Sequence, residues 1–234
     1  MPLDQAGAGW HTITVAHLAD DLEAGILPPP QTFVITIDDG WADGYTYAAP
    51  ILGADGFVAT FFVIAGRIGM AGFLSPDQLR TLMAIGDEIG NHTLDQARLA
   101  GLPDARAYEI DSASATIAAA AGQWPETLAY PKRSYSTRAM AAVEACTGMK
   151  MAVIEGDSTW ETWATRFATP RIRVSPSISP ASLMHAVANP RSPAAIAAAG
   201  APRAAGPTAA PTPGAAAPTE STVAPSSPSA TPAT

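Results

Sequence analysis

Two adjacent carboxylates, Asp38 and Asp39, close the run Thr32-Phe33-Val34-Ile35-Thr36-Ile37 and are followed by Gly40. A histidine stands farther on, inside Glu88-Ile89-Gly90-Asn91-His92-Thr93. The β-branched and aromatic run reads as a strand buried on both faces, as in parallel sheets. Carboxylates at its carboxyl end stand where α/β barrels place their chemistry. Desolvated acids need a proton or a cation to be tolerated, and a metal ion supplies the cation. If His92-Thr93-Leu94-Asp95-Gln96 forms one helical turn, His92 and Gln96 share a face. Imidazole nitrogen, carboxylate oxygen and amide oxygen could then converge on one ion.

The elements that must position these groups alternate along the chain. After the Asp38 strand the pattern predicts a helix over 43–54 and a strand over 58–64. Ser75-Pro76-Asp77-Gln78 is a capping box with proline at the first helical position, and Gly86 ends that helix. A strand over 88–91 then delivers His92. A long helix over 104–121 closes at Gly122, a strand through Thr127-Leu128-Ala129-Tyr130 stops at Pro131, and a helix covers 137–148. Short strands at 151–154 and 171–174 precede a last helix, capped by Ser179, that runs to Val187. Strand alternating with helix implies an α/β fold with a parallel sheet, open or closed into a barrel.

Composition narrows the function. The 234-residue chain is 47% hydrophobic, enough for a core, and its 13 Lys and Arg against 21 Asp and Glu give a net charge of −8. That field repels phosphate backbones and argues against nucleic acid as a partner. No stretch is long and apolar enough for membrane insertion, and Met1-Pro2-Leu3-Asp4-Gln5 has no signal-peptide character. Cys146 has no cysteine to pair with and reads as a small buried hydrophobe. The chain divides near residue 188. Residues 1–188 carry the folded pattern, and 189–234, rich in Ala, Pro, Ser and Thr, read as a disordered tail.

The motifs resemble one family. Thr36-Ile37-Asp38-Asp39-Gly40 is similar to the Thr-Phe-Asp-Asp-Gly motif of the polysaccharide deacetylases, the NodB homology domains of carbohydrate esterase family 4. Ala49-Pro50-Ile51-Leu52, Gly56-Phe57-Val58-Ala59-Thr60-Phe61-Phe62-Val63, Asp87-Glu88-Ile89-Gly90-Asn91-His92-Thr93, Ala129-Tyr130-Pro131 and Pro170-Arg171-Ile172-Arg173-Val174 follow in the family's order. The resemblance implies a distorted (β/α) barrel, here incomplete. It also implies hydrolysis of N-acetyl groups on an N-acetylglucosamine polymer such as peptidoglycan, chitin or poly-N-acetylglucosamine, with a divalent metal, zinc in the usual case. In that reading Asp38 is the general base, Asp39 and His92 bind the metal, and the backbone amide of Lys132 holds the oxyanion. Arg171 orients a carboxylate, and Trp41, Tyr130 and Pro131 meet the sugar. Tyr45 and Tyr47 are further stacking candidates beside Trp41.

Four departures accompany the resemblance. Gln96 stands at the family's second metal histidine, a poorer donor for zinc than imidazole. Lys132 and Arg133 replace the Tyr-Gly that usually follows the proline. Only about thirty residues precede the Asp38 strand, where relatives carry another strand, so the sequence reads as amino-terminally shortened. If so, the family places the complete protein in the cell envelope or outside the cell. Last, the general acid is unassigned: Leu183-Met184-His185 and Asp157-Ser158-Thr159-Trp160 only loosely fit the family's late motifs, and His185, like His17, reads better as an exposed helix residue. His11 reads as a strand-end residue. The competing readings are a glycan-binding relative without turnover and a truncated fragment.

Overall fold

The computed structural model describes residues 9–102, 106–156 and 163–188. Two short parallel strands, β1 (His11–Thr12) and β2 (Thr32–Phe33), flank α1 (Val15–Glu23) in the chain. The main sheet follows: β3 (Thr36–Ile37), α2 (Ala49–Ala54), β4 (Thr60–Val63), α3 (Pro76–Ala84), β5 (Glu88–Asn91), α4 (Ser112–Ala121), β6 (Thr127–Ala129), α5 (Thr137–Glu144), β7 (Met151–Gly156) and β8 (Thr169–Ile172). Its six strands are parallel and lie in sequence order, β3-β4-β5-β6-β7-β8. The result is a curled half-barrel sheet of the α/β class, with α6 (Pro180–Ala188) after it.

Side chains alternate across this sheet as strand geometry requires. Phe61 and Val63 face outward onto Leu79, Leu82, Ala113 and Ile117 of α3 and α4. Leu128, Ala152 and Ile154 face α5 through Ala139 and Val143. On the other face, Phe62, Ala129, Met151 and Val153 pack against Val15 and Ala19 of α1. A helix thus fills the concave side that a complete barrel would fill with strand side chains. Its first turn is tied down by the sheet: Val15 N–H donates to Thr60 Oγ1 at 3.0 Å and Ala16 N–H to Glu88 Oε2 at 2.9 Å. Burial pushes the Glu88 carboxyl above the usual carboxylate range, against hydrogen bonds from Thr127, Ala16 and Thr60.

Several expectations need correction. The expected single strand over 32–37 is split, with β2 pairing to β1 and β3 to β4. Its residues are half-buried rather than buried on both faces, because β3 is an edge strand with a neighbouring strand, β4, on one side. The helix over 43–54 opens with a π-helical turn, Gly44–Ala48, before α2. Pro50 lacks the N–H that would bond back to Thr46, so the regular ladder cannot run through it. The helix over 104–121 likewise opens with a π turn at Arg106–Asp111, and Gly122 at φ 86° ends it. The helix over 137–148 stops at Glu144. The last strand starts earlier than expected, at Thr169, and takes in Pro170, which an edge strand tolerates.

Gly90 shows how tightly the sheet is closed. A Cβ there would lie 2.5 Å from Phe62 Cδ1 and Cε1 and 2.9 Å from Thr127 Oγ1. Phe62 is fully buried, so the ring has nowhere to move. We expect Gly90→Ala to lower unfolding free energy by about 1–3 kcal/mol in urea titration; an unchanged midpoint would mean that Phe62 repacks freely.

Candidate active site

Asp38 and Asp39, His92 and Gln96, and Tyr130, Pro131 and Lys132 lie past the carboxyl ends of β3, β5 and β6, respectively. The chain leaves β3 through Asp38 and then turns sharply, with Asp39 at φ 73° and Gly40 at φ 74°. Asparagine and aspartate are among the few side chains that accept that left-handed region. At Gly40 a Cβ would meet Val63 Cγ1 at 3.0 Å and Cβ at 3.1 Å, so glycine alone fits. The turn sends the two neighbouring carboxylates to different partners.

Asp38 faces Arg171. Nη1 donates to Asp38 Oδ1 at 2.7 Å and Nη2 to Oδ2 at 2.8 Å, a bidentate pair, while Nη1 also donates to Thr36 Oγ1 at 2.8 Å. The guanidinium lies over the Phe62 ring, 5.6 Å from its centroid. Arg171 belongs to β8 and Asp38 follows β3, the two edges of the sheet. The pair therefore bridges the two edges with side chains where no backbone ladder joins them. Each Asp38 oxygen keeps a further lone pair for a water proton.

Asp39 faces His92, which is buried behind β5. His92 Nδ1 lies 2.8 Å from the Ala129 carbonyl oxygen, so Nδ1 carries the proton and donates. Nε2 is left 3.4 Å from Asp39 Oδ1. A bare nitrogen lone pair would repel a carboxylate, so this contact suits a cation between the two. Two ligand atoms on one tetrahedral zinc stand about 3.4 Å apart, from bond lengths of about 2.0–2.2 Å. The spacing fits a metal. His92 holds the Asp39 carboxyl below the usual carboxylate range against the opposing effect of burial, helped by Trp41 and Arg67.

Gln96 completes the group by a route the sequence reading missed. Residues 92–96 are not a helical turn: Thr93 and Gln96 sit at φ 65° and 66°. The kinked loop still brings the Gln96 amide to Asp39, with Nε2 donating to Oδ1 at 2.6 Å. A half-turn of that amide presents Oε1 in its place. Among the described residues no group of three His, Cys, Asp or Glu side chains converges, so the third position about an ion falls to Gln96, a neutral and weak donor.

The remaining candidates divide. Trp41 is 45% exposed, stacks on Phe73 with centroids 4.2 Å apart, and points Nε1 at Asp39 Oδ2 from 3.4 Å. Arg67 covers the other aromatic, 5.1 Å from the Phe73 centroid. Tyr130 is misplaced as a sugar contact: it packs outward in the α5 layer, and its hydroxyl donates to the Phe167 carbonyl at 3.0 Å. Pro131 is buried at the rim beside it. Tyr45 packs against the core and Tyr47 projects into solvent, so they build no platform with Trp41. His11, His17 and His185 are exposed, on β1, α1 and α6. Asp157 to Trp160 lie outside the described residues. Thr36, two residues before Asp38 and so on the same strand face, was legible by period; Phe73 and the Ala129 carbonyl carried no sequence signal.

Comparison with known proteins settles the family. The polysaccharide deacetylase family model matches residues 27–152, more than half of the chain. The chain belongs to the polysaccharide deacetylase family. Among curated proteins it is 30% identical over 172 residues to YxkH of Bacillus subtilis (strain 168), named for the polysaccharide deacetylases, covering 73% of this chain. The chain spans 61% of YxkH's length. Among solved structures, the Streptococcus pyogenes deacetylase PplD in complex with acetate superposes with a TM-score of 0.71 at 25% identity, over 79% of this chain and 82% of that one. IcaB from Ammonifex degensii shares the fold, with a TM-score of 0.68 at 22% identity over 80% and 87% of the two chains.

Beside this candidate site, Lys132 (φ 55°, ψ 33°) and Arg133 (φ 55°) are consecutive left-handed residues. Arg133 Nε reaches Glu155 Oε2 at 3.4 Å, an exposed contact worth little. Arg133→Gly removes about 1–2 kcal/mol of strain and returns part of it as chain entropy. Urea titration should show the variant more stable by about 0.5–1 kcal/mol; a less stable variant would show that the arginine contacts outweigh the strain.

Proposed function

We propose that the chain is a metal-dependent hydrolase that removes N-acetyl groups from an N-acetylglucosamine-containing polysaccharide, with a metal site weakened at Gln96. The observation that carries this reading is the division of labour between neighbouring acids: Asp38 clamped by Arg171, and Asp39 set 3.4 Å from His92 Nε2. Asp39, His92 and, with its amide turned, Gln96 would hold the divalent ion, which the family resemblance suggests is zinc. When bound, that ion polarises the acetamide carbonyl and acidifies water.

This chain's own residues do the rest. Arg171 fixes both oxygens of Asp38, which takes the proton of the attacking water. His92 is held in one tautomer by the Ala129 carbonyl, which keeps Nε2 directed at Asp39. The Lys132 backbone amide, past the end of β6, is the oxyanion donor in this reading. Trp41, stacked on Phe73 beside Asp39, offers its free face to a sugar ring. Addition of water to the carbonyl carbon and cleavage of the carbon–nitrogen bond release acetate, and the proton taken by Asp38 is available to the leaving amine. A polymeric glycan as substrate would favour a working place at the cell envelope or outside the cell, as the family resemblance suggests. No described helix is long and apolar enough to cross a membrane. We assign the catalytic unit to residues 1–188, with 189–234 as a separate tail.

One contact favours a second reading, a glycan-binding relative without turnover. Gln96 Nε2 donates to Asp39 Oδ1 at 2.6 Å and so supplies the oxygen with the partner a cation would otherwise provide. Acetate release from chitohexaose at limiting zinc or cobalt separates the two. The deacetylase reading predicts measurable release by wild type, abolished by Asp38→Asn, and an increase of about 10- to 100-fold in metal affinity or rate for Gln96→His. Release by Gln96→His alone, with none from wild type in excess metal, would establish the silent relative.

A further inference from the structure

Resting on the reading of this site as a glycan deacetylase, we infer that its polymer is acidic, with a carboxylate or phosphate on sugars near the N-acetylated one. The basis is an arc of four exposed cations, Arg98, Lys132, Arg133 and Arg173, that flanks the ligand-bearing residues. Arg98 stands two residues past Gln96, Lys132 and Arg133 directly follow Tyr130-Pro131 beyond the Ala129 carbonyl that holds His92, and Arg173 stands two past Arg171. Contacts join the arc into one surface: Arg98 Nη1 reaches the Lys132 carbonyl at 3.4 Å, and Glu155 lies between Arg133 and Arg173 at 3.4 and 3.2 Å.

The charge balance of this arc runs against the chain's. The whole protein carries 13 Lys and Arg against 21 Asp and Glu. Along the arc, among the described residues, the facing carboxylates are Glu155, shared by two arginines, and Asp95. Asp95 is engaged with Glu109, whose carboxyl is pushed up by burial and by the Asp95 charge. Counted with Asp38 and Asp39 and with the Arg171 and Arg67 beside them, six cations stand against four acids among the described residues, a local excess of positive charge around an acidic protein's site. Such a focused field selects for anionic ligands and raises their local concentration.

Backbone strain is the independent observation. Lys132 and Arg133 both occupy the left-handed region, which glycine takes at no steric cost. Strained positions persist where surrounding structure fixes them, and they cluster at functional sites. Here the conformation carries long cationic side chains just past the carboxyl end of β6, 57% exposed at Arg133. A neutral chitin-like chain offers them only uncharged hydroxyl and amide oxygens, whereas carboxylate and phosphate oxygens make the stronger charge-assisted bonds to guanidinium and ammonium groups.

The test measures dissociation constants of the full chain for three N-acetylated hexasaccharides, read from the Trp41 indole resonance. They are neutral chitohexaose, 6-O-phosphorylated chitohexaose and the hyaluronan hexamer, whose alternate sugars are uronates. At 50 mM NaCl at least one acidic hexamer should bind about three- to tenfold tighter than chitohexaose, and which one does identifies the anion. The preference should shrink at 300 mM, where screening is stronger. The Arg98→Gln/Arg133→Gln double variant should lose the preference while binding chitohexaose as wild type does, which also reports that it is folded. Equal affinity for all three hexamers, or a preference that survives the double variant, overturns the acidic-polymer inference and leaves the deacetylase reading intact. Failure to bind any hexamer overturns both.

Discussion

The Asp38–Arg171 pair is the interaction on which the rest depends. A sheet of six parallel strands leaves two edges, here β3 and β8, whose backbone groups have no further strand to meet. Arg171 reaches from one edge to the other and engages Thr36 and both oxygens of Asp38. The same contact that ties the edges together orients the acid assigned as base. Removing the arginine would leave a partly buried carboxylate unpaired and free the β3 edge, so site and fold are coupled here. Packing of α1 against Phe62, Ala129, Met151 and Val153 supports the arrangement from within the curl.

Two adjacent carboxylates can do different work because the backbone turns between them. Left-handed geometry at Asp39 and Gly40 rotates one acid toward Arg171 and the other toward His92. Two side chains on a continuing strand would alternate across it, and no single cation could meet both. The His92 side is less complete. Asp39 and His92 stand at the spacing of two ligands on one ion, but Gln96 supplies a neutral amide where a third strong donor would stand. That amide also satisfies Asp39 without any ion. The loop from Thr93 to Gln96 therefore sets the balance between an ion and a hydrogen bond.

Much of this was legible in the sequence, for reasons that differ by element. The β4 run Thr60-Phe61-Phe62-Val63 and the capping box at Ser75 were read directly, because burial on both faces and cap chemistry are local signals. The Asp38-Asp39-Gly40 turn was marked by its residue types. Convergence of Gln96 on Asp39 was expected from a helical turn and achieved by a kinked loop, since two positive φ values on non-glycine residues leave no trace in composition. Tyr130 was misassigned because a one-residue difference in strand register decides whether a side chain faces the groove or the helical layer. Pairing of Asp38 with Arg171, 133 residues apart, is a tertiary fact that no local pattern states.

The central claim is that the space between Asp39 and His92 accepts a divalent cation. Anomalous diffraction from crystals equilibrated with zinc measures this directly. The account predicts a peak within about 2.0–2.2 Å of both Asp39 Oδ1 and His92 Nε2, with the Gln96 amide turned or displaced. The claim is contradicted if, at saturating zinc, that position shows no peak and Gln96 still donates to Asp39.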